Sequence, residues 1–458
     1  MNETRELAQF VTEITYNDMK KEVIEKAKCL VMDQFGLQLA FANLPWCKAV
    51  YKYVEGRKGG REDSTIVNYG LRTTVEDATF ANATFGYGNE MDDYDLSCLA
   101  HPGNVIVPAA FAIGEREMIN GKEFLTAVVV GYDVMQRIAR AARSMHDRWF
   151  FPTTATGTFG TAAVTSKALR FNIDMTLNAL SIAAFQSCGI EEFGASGGVV
   201  VHVQNAFSAH AGVRSAFLAQ GGITGPPTPL EGKRGFCQAF ANDYSLNEIT
   251  DGLGKDFRIL AVGNKRYCCT AALHSTIDAV VKIMEKHTFK LEEIEEVVVA
   301  LKRREYNATE TIHQPSDVAG SQFSARFAVA LRLIKGGNGF KDYTEENARD
   351  PEVLSMTKKV TPVFDEELEK LPLNVVAARV TIKLKNGTSY QERVDYARGT
   401  PGNPMTEAEL QNKFRELASP VIPDEQVERI IQNVAELEKL DNVSKLAPLL
   451  VGMGCRQV

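Results

Sequence analysis

The feature that most constrains this chain is a change of hydrophobic period near residue 260. Ahead of it the apolar residues recur at helical spacing. Between Asn17 and about Asn43 the series Val23, Ile24, Ala27, Leu30, Val31 and Phe35 marks one face of a long amphipathic helix, with Asn17 and Asp18 as its capping residues. The same period predicts helices over 75–85, 106–115, 124–142, 158–169, 175–185 and 206–220. Small residues such as Gly160-Thr161-Ala162-Ala163 let these helices approach closely. Beyond residue 260 the grammar is that of strands: Val297 to Leu301 is β-rich, and Arg379 to Lys385 alternates before Asn386-Gly387 and a second run from Ser389 to Val394, a hairpin signature. A turn-rich stretch, Gly399 to Pro404, then leads to a capping box at Thr406 and Glu409 that reopens helical structure through Leu450.

The reading is a mainly α protein: a large all-helical domain built from both chain ends (1–265 and 399–458) and a smaller α+β lid domain (266–398). A length of 458 residues suits two cores better than one.

Composition narrows the function. The formal net charge is −7 and cationic runs stop at Lys302-Arg303-Arg304, so nucleic acid is not the expected partner and a small molecule is. The charged start, Met1 to Leu7, has no signal-peptide core, and no run reaches the ~18 apolar residues of a membrane span, so no membrane association and a cytoplasmic location are expected. Eight scattered cysteines fit reduced thiols, and without CxxC, HExxH or any histidine spacing of a ligand set no metal is expected.

The densest chemistry lies in Gly88 to Gly103, where Glu90, Asp92, Asp93 and Asp95 precede Cys98 and His101. Crowded carboxylates raise at least one pKa unless water solvates them all, so this is either acid/base equipment or a wet loop. Lys265 and Arg266 suit a substrate carboxylate, with His274 nine residues on to exchange a proton, or they bridge the two domains by salt links. Cys268-Cys269 reads as packing rather than a nucleophile. The glycines around Ser196 (Gly194, Gly197, Gly198) lack a phosphate-loop signature and read as a flexible loop beside a cleft.

Several segments together resemble the MmgE/PrpD family: His101-Pro102-Gly103 with Val107-Pro108-Ala109-Ala110; Phe151-Pro152-Thr153 with Gly157-Thr158-Phe159-Gly160; Thr224-Gly225-Pro226 with Leu230-Glu231-Gly232; Lys265-Arg266-Tyr267-Cys268-Cys269 with His274; and Phe323-Ser324. The resemblance implies a helical domain from both chain ends, an α+β lid, an active site in the cleft between them, a homodimer, and no metal or organic cofactor. It also implies a dehydratase, decarboxylase or epimerase of a small carboxylic acid. The family's acidic motif becomes Glu90-Met91-Asp92-Asp93-Tyr94, and its histidine, lysine and second histidine stand as His101, Lys265 and His274. Three polar positions depart from the pattern: Phe151 replaces a histidine, Val201 with Gln204 replaces a lysine segment in which His202 is a partial substitute, and Phe327 replaces a tyrosine. Fewer cations mean a smaller or less charged acid than a tricarboxylate.

The expected chemistry is removal of a proton α to a carboxylate with loss of water or carbon dioxide. His101 and His274 move protons, Asp93 orients the histidine, and Lys265 and Arg266 stabilise enolate charge. Glu90, Tyr94, Tyr267, His202, Gln204 and Phe151 line the substrate. The alternatives are an epimerase or isomerase by the same abstraction, and a non-catalytic dimeric binding protein.

Overall fold

The computed structural model describes residues 2–57, 60–193, 198–315 and 317–455. The chain divides into two compact units, one of residues 1–262 with 406–458 and the other of residues 263–405. The sequence places these junctions at 265/266 and 398/399.

The first unit is helical. Its first stretch holds α1 (Glu3–Glu13), α2 (Lys21–Phe41), α3 (Pro45–Glu55), α4 (Val75–Gly86), α5 (Gly103–Glu117), α6 (Gly121–Ala141), α7 (Pro152–Ala168), α8 (Ile173–Ala184) and α9 (Val201–Gln220). Local chemistry explains several starts. Thr74 Oγ1 accepts from Asp77 N at 3.2 Å to cap α4, and Asn120 with Glu123 forms a capping box on α6. The expected caps of α2 are a correction: the helix starts after Lys20, and Asp18 belongs to a separate turn where its carboxylate takes Thr15 N at 2.8 Å. The helices α1 and α3, which the periodicity does not announce, are short, and α3 opens on Pro45, whose missing N–H costs nothing at a first turn.

Glycine sets the closeness of the central packing. A side chain at Gly160 would meet Ile106 of α5 at 2.6 Å, and one at Gly212 of α9 would collide with Thr158 and Thr161 of α7. The contacts also fix direction: Gly157 lies against Val105 and Ser208, while Gly212, further along α9, lies against residues further along α7. Thus α5, α7 and α9 run parallel. The core around them holds Phe35 and Phe111 edge to face at 5.2 Å, and a fully buried Arg137 bonded to Asp133 and to the carbonyls of Asp251 and Asp256.

The second unit is built on a four-stranded sheet of β1 (Ile294–Leu301), β2 (Val360–Phe364), β3 (Ala378–Leu384) and β4 (Ser389–Val394), in spatial order β2-β1-β3-β4. β1 pairs parallel with β2 and antiparallel with β3, and β3 pairs antiparallel with β4. The Asn386-Gly387 turn forms as expected, with Gly387 at φ +87. β2 is absent from the sequence reading because Pro362 interrupts its pattern; at the sheet edge that missing N–H is harmless. Helices α10 (His274–Lys286) and α11 (Ala325–Lys335) pack on the sheet and each other.

The chain then returns to the first unit through α12 (Glu407–Ala418), opened by the Thr406/Glu409 capping box, and α13 (Asp424–Ala435). Lys413 of α12 pairs with Asp33 of α2 at 2.7 Å.

Candidate active site

The acidic segment is not a wet loop. Glu90, Asp92, Asp93 and Asp95 are all buried, and their burial is enforced from several sides. Trp46 Nε1 donates to the Gly88 carbonyl at 3.0 Å, and Lys413, arriving from the far end of the chain, donates to the Met91 carbonyl at 2.9 Å. Gln136 Nε2 donates to Asp95 at 2.6 Å.

Asp93 sits between two donors. Its Oδ1 accepts from Gly103 N, the first amide of α5, at 2.8 Å, and its Oδ2 accepts from Tyr132 OH at 2.6 Å. Burial nevertheless pushes its pKa up to about 7, with Asp92 adding to the rise and both hydrogen bonds opposing it. Gly103 is what admits this arrangement, since a Cβ there would stand 2.7 Å from both Asp93 oxygens and from the Tyr132 hydroxyl.

His101 Nδ1 lies 2.9 Å from Asp92 Oδ2 and 3.0 Å from the Asp93 carbonyl. Both neighbours accept, so Nδ1 carries the proton of the neutral ring and Nε2 is left as a base. The orienting carboxylate is therefore Asp92 rather than Asp93, a correction to the sequence reading. Alternating carboxylates on an irregular loop give no register from which this choice can be read. Asn104 Nδ2 holds the pair by donating to Asp92 at 3.2 Å and to the His101 carbonyl at 2.8 Å, and Thr153 Oγ1 accepts from His101 N at 2.9 Å.

Aromatic rings surround the imidazole. Tyr87 lies 5.7 Å away and Phe151 is stacked at 6.1 Å, itself met edge-on by Phe193 at 5.5 Å. His202 is buried, stacked on Trp46 at 4.6 Å, and bonded through Nδ1 to the Tyr87 carbonyl at 3.0 Å. Burial holds its pKa below the usual imidazole value, so it does not replace a lysine's charge. Tyr94 and Gln204 are buried in the same unit, and Gln204 Nε2 has no partner among the described residues. Sequence reasoning passed over Asp92's role, Tyr132, Asn104 and Lys26. Lys26 of α2 feels the charges of Asp93 and Asp33, and burial lowers its pKa. Its helical period marked α2 only as a packing element.

In the second unit Lys265 and His274 are buried, and Arg266 is exposed. His274 opens α10, its Nε2 3.3 Å from the Cys269 carbonyl and its ring 5.3 Å from Tyr267. Tyr267, expected to line the substrate, is bonded within its own unit. Its hydroxyl donates to Asp278 at 2.6 Å, Asp278 also accepts from Arg398 N at 2.6 Å, and the guanidinium groups of Arg266 and Arg332 sit 5.6 and 5.5 Å from its ring. These commitments make it part of the framework. Cys268 and Cys269 are buried, with Gln322 Nε2 3.2 Å from Cys268 Sγ, and Phe327 packs in the core beside Tyr343. The segment around Ser196 lies outside the described residues. Among the described residues no group of three or more His, Cys, Asp or Glu side chains is placed to hold a metal ion, and no helix is long and apolar enough to cross a membrane.

Comparison with known proteins adds a family. The MmgE/PrpD N-terminal domain matches residues 5–249 and the MmgE/PrpD C-terminal domain matches residues 267–439. The chain is 28% identical to a cis-aconitate decarboxylase-like protein, oryM, of Aspergillus oryzae over 98% of both chains. It is 27% identical to a cis-aconitate decarboxylase of Aspergillus terreus, covering 98% of this chain and 95% of that one. It is 24% identical to the human cis-aconitate decarboxylase, covering 98% and 94%.

Proposed function

We propose, for a chain that belongs to the MmgE/PrpD family, a lyase mechanism on a small carboxylic acid in which His101 is the proton-moving group. The enzyme class follows from the family and from the decarboxylase relatives; the step and its residues are our reading. The observation that carries it is the His101 ring, its Nδ1 fixed by Asp92 and the Asp93 carbonyl so that Nε2 is a base.

In a dehydration, Nε2 takes the proton α to a carboxylate, the electron pair forms the double bond, and the β-hydroxyl leaves as water with a proton from His274. In a decarboxylation the electron pair of the breaking C–C bond takes the place of that left by the proton, and His101, whose Nε2 has first taken a proton from solvent, passes that proton to the resulting carbanion. Lys265 and Arg266 offset the negative charge that builds on the carboxylate in either case. Asp93, poised near pH 7, exchanges protons with the surroundings of the ring. Glu90 and Tyr94 complete the wall on the acidic segment. The resemblance further supports a homodimer, for which Phe207 and Leu218 give α9 an exposed apolar face, and light scattering reports the mass.

The test is a panel of hydroxy, unsaturated and imino acids incubated in deuterated water, with products followed by NMR and mass spectrometry. Loss of water or carbon dioxide is expected. Deuterium entering recovered acid with no departing group makes the enzyme an isomerase, and tight binding with neither outcome makes it a binding protein.

A further inference from the structure

Three helix ends meet beside His101. Because α5, α7 and α9 run parallel and in contact near their starts, their N-terminal ends lie side by side. Each begins on a residue that offers no side-chain cap, namely Pro102, Phe151 and Val200. Elsewhere in the same unit α4, α6 and α8 begin on Thr74, Asn120 and Asn172, all of which cap. Amides at a helix start carry partial positive charge; Gly103 N of α5 is already bonded to Asp93, and the 201–204 amides of α9 to the carbonyls of Gly198, Val199 and Val200, so it is the start of α7 that favours an anion.

A second observation points the same way. Asn205, fully buried in the first turns of α9, accepts from Thr154 Oγ1 of α7 at 2.8 Å, and its Nδ2 has no partner among the described residues. Gln204 Nε2, one residue earlier and also buried, has none either. A buried donor without an acceptor is destabilising, and a ligand oxygen removes that cost. The adjoining surface has the opposite character. Phe151, Phe193 and Tyr87 present rings, and the carboxylates of Glu90 and Asp92 act on both Tyr87 and His202. A second negative charge there meets repulsion and apolar wall instead of donors.

We propose that this unit seats a single carboxylate at the start of α7, received by the Asn205 amide, and takes an alkyl or aryl arm of the same molecule against Phe151, Phe193 and Tyr87. The ligand class is a mono- or dicarboxylic acid with an apolar substituent, not a tricarboxylate. That this ligand is the substrate rests on the lyase reading above; that it binds does not.

A matched series tests it: cis-aconitate against 2-propylmaleate and 2-benzylmaleate, in which an apolar arm replaces one carboxymethyl group. Calorimetry is expected to give at least tenfold tighter binding of an arm-bearing maleate. Asn205→Asp, which places a negative charge opposite the carboxylate, is expected to weaken that binding at least tenfold with an unchanged circular dichroism spectrum. Phe151→His is expected to narrow the preference to under threefold, and it decides the matter if Asn205→Asp does not fold. Tighter binding of cis-aconitate, binding of none of the three acids, or an Asn205→Asp or Phe151→His variant indistinguishable from the parent overturns the proposal. Preference for the apolar arm without any product overturns the lyase reading and leaves this one standing; product formation with the preference reversed does the opposite.

Discussion

The segments 88–103 and 265–278 look alike as sequence, each a cluster of charged and aromatic residues around a histidine, but the first puts a carboxylate on its imidazole and the second puts its carboxylate on a phenol. In 88–103 burial pushes the pKa of Asp93 up to about 7, Asp92 fixes the tautomer of His101, and the starts of α5 and α7 lie alongside one another. In 265–278 the phenol of Tyr267 is bound to Asp278, Asp278 to the Arg398 amide, and the tyrosine ring lies beside two guanidinium groups. A carboxylate on a ring nitrogen fixes which nitrogen of a proton-moving group carries the proton; one on a phenol holds two side chains in place.

The largest effect that tests this contrast is at His101. His101→Ala is expected to lower turnover by at least ~10², the scale for losing a general acid/base, with the fold intact by circular dichroism. Lys265→Ala is expected to lose a comparable ~10² as the electrostatic contributor from the second segment. A Lys265→Ala enzyme with parental turnover would confine the chemistry to the first segment and sharpen the distinction.

Next is pH. The folded-state pKa of Asp93 is raised from 3.8 to about 7, so between those values the folded protein holds a proton that the unfolded chain has released. The stability tied to Asp93 is present in full below about pH 4 and is lost as pH rises through 7, by at most roughly 4 kcal/mol over a three-unit shift. Denaturant melts of the parent and Asp93→Asn at pH 4.5 and 7.5 check the sign: the variant should lose less stability on going up. A steeper loss in the variant would remove Asp93 as the poised group.

Gly103→Ala comes third. The added methyl group crowds Asp93 and Tyr132, and overpacking of this kind costs about 1–3 kcal/mol, read as a lower thermal midpoint together with reduced turnover. Smallest in activity is Tyr267→Phe, which leaves Asp278 short of a donor and should cost about 1–3 kcal/mol in stability while turnover stays within about threefold. A large loss of turnover with unchanged stability would move Tyr267 from framework to site and erase the comparison.

The fold was most legible where side chains write their own boundaries. The Thr406/Glu409 box before α12 is a capping signal, and the helix starts where it says. The helices that enter the site are where the reading fell short. Periodicity begins α5, α7 and α9 at 106, 158 and 206, whereas they start at Gly103, Pro152 and Val201. Without a capping side chain the first turn has no sequence signature, and those first turns flank His101. The acidic segment and its histidine were conspicuous as candidates, but Asp92's bond to the ring was not, because it depends on the path of an irregular loop.

By itself the sequence determined the mainly helical class, the hairpin at Asn386-Gly387 and the candidates Glu90, Asp93 and His101, since period, turn chemistry and charge density are local properties. Tertiary structure alone decided that the acidic segment is buried, that the imidazole meets the carboxylate of Asp92 and the main-chain carbonyl of Asp93, and that Tyr267 is bound to Asp278. Each of those outcomes is set by groups distant in the chain, Tyr132 and Lys413 for the segment and Arg332 and Arg398 for the tyrosine, and a pKa or a hydrogen bond answers to whatever surrounds it in space.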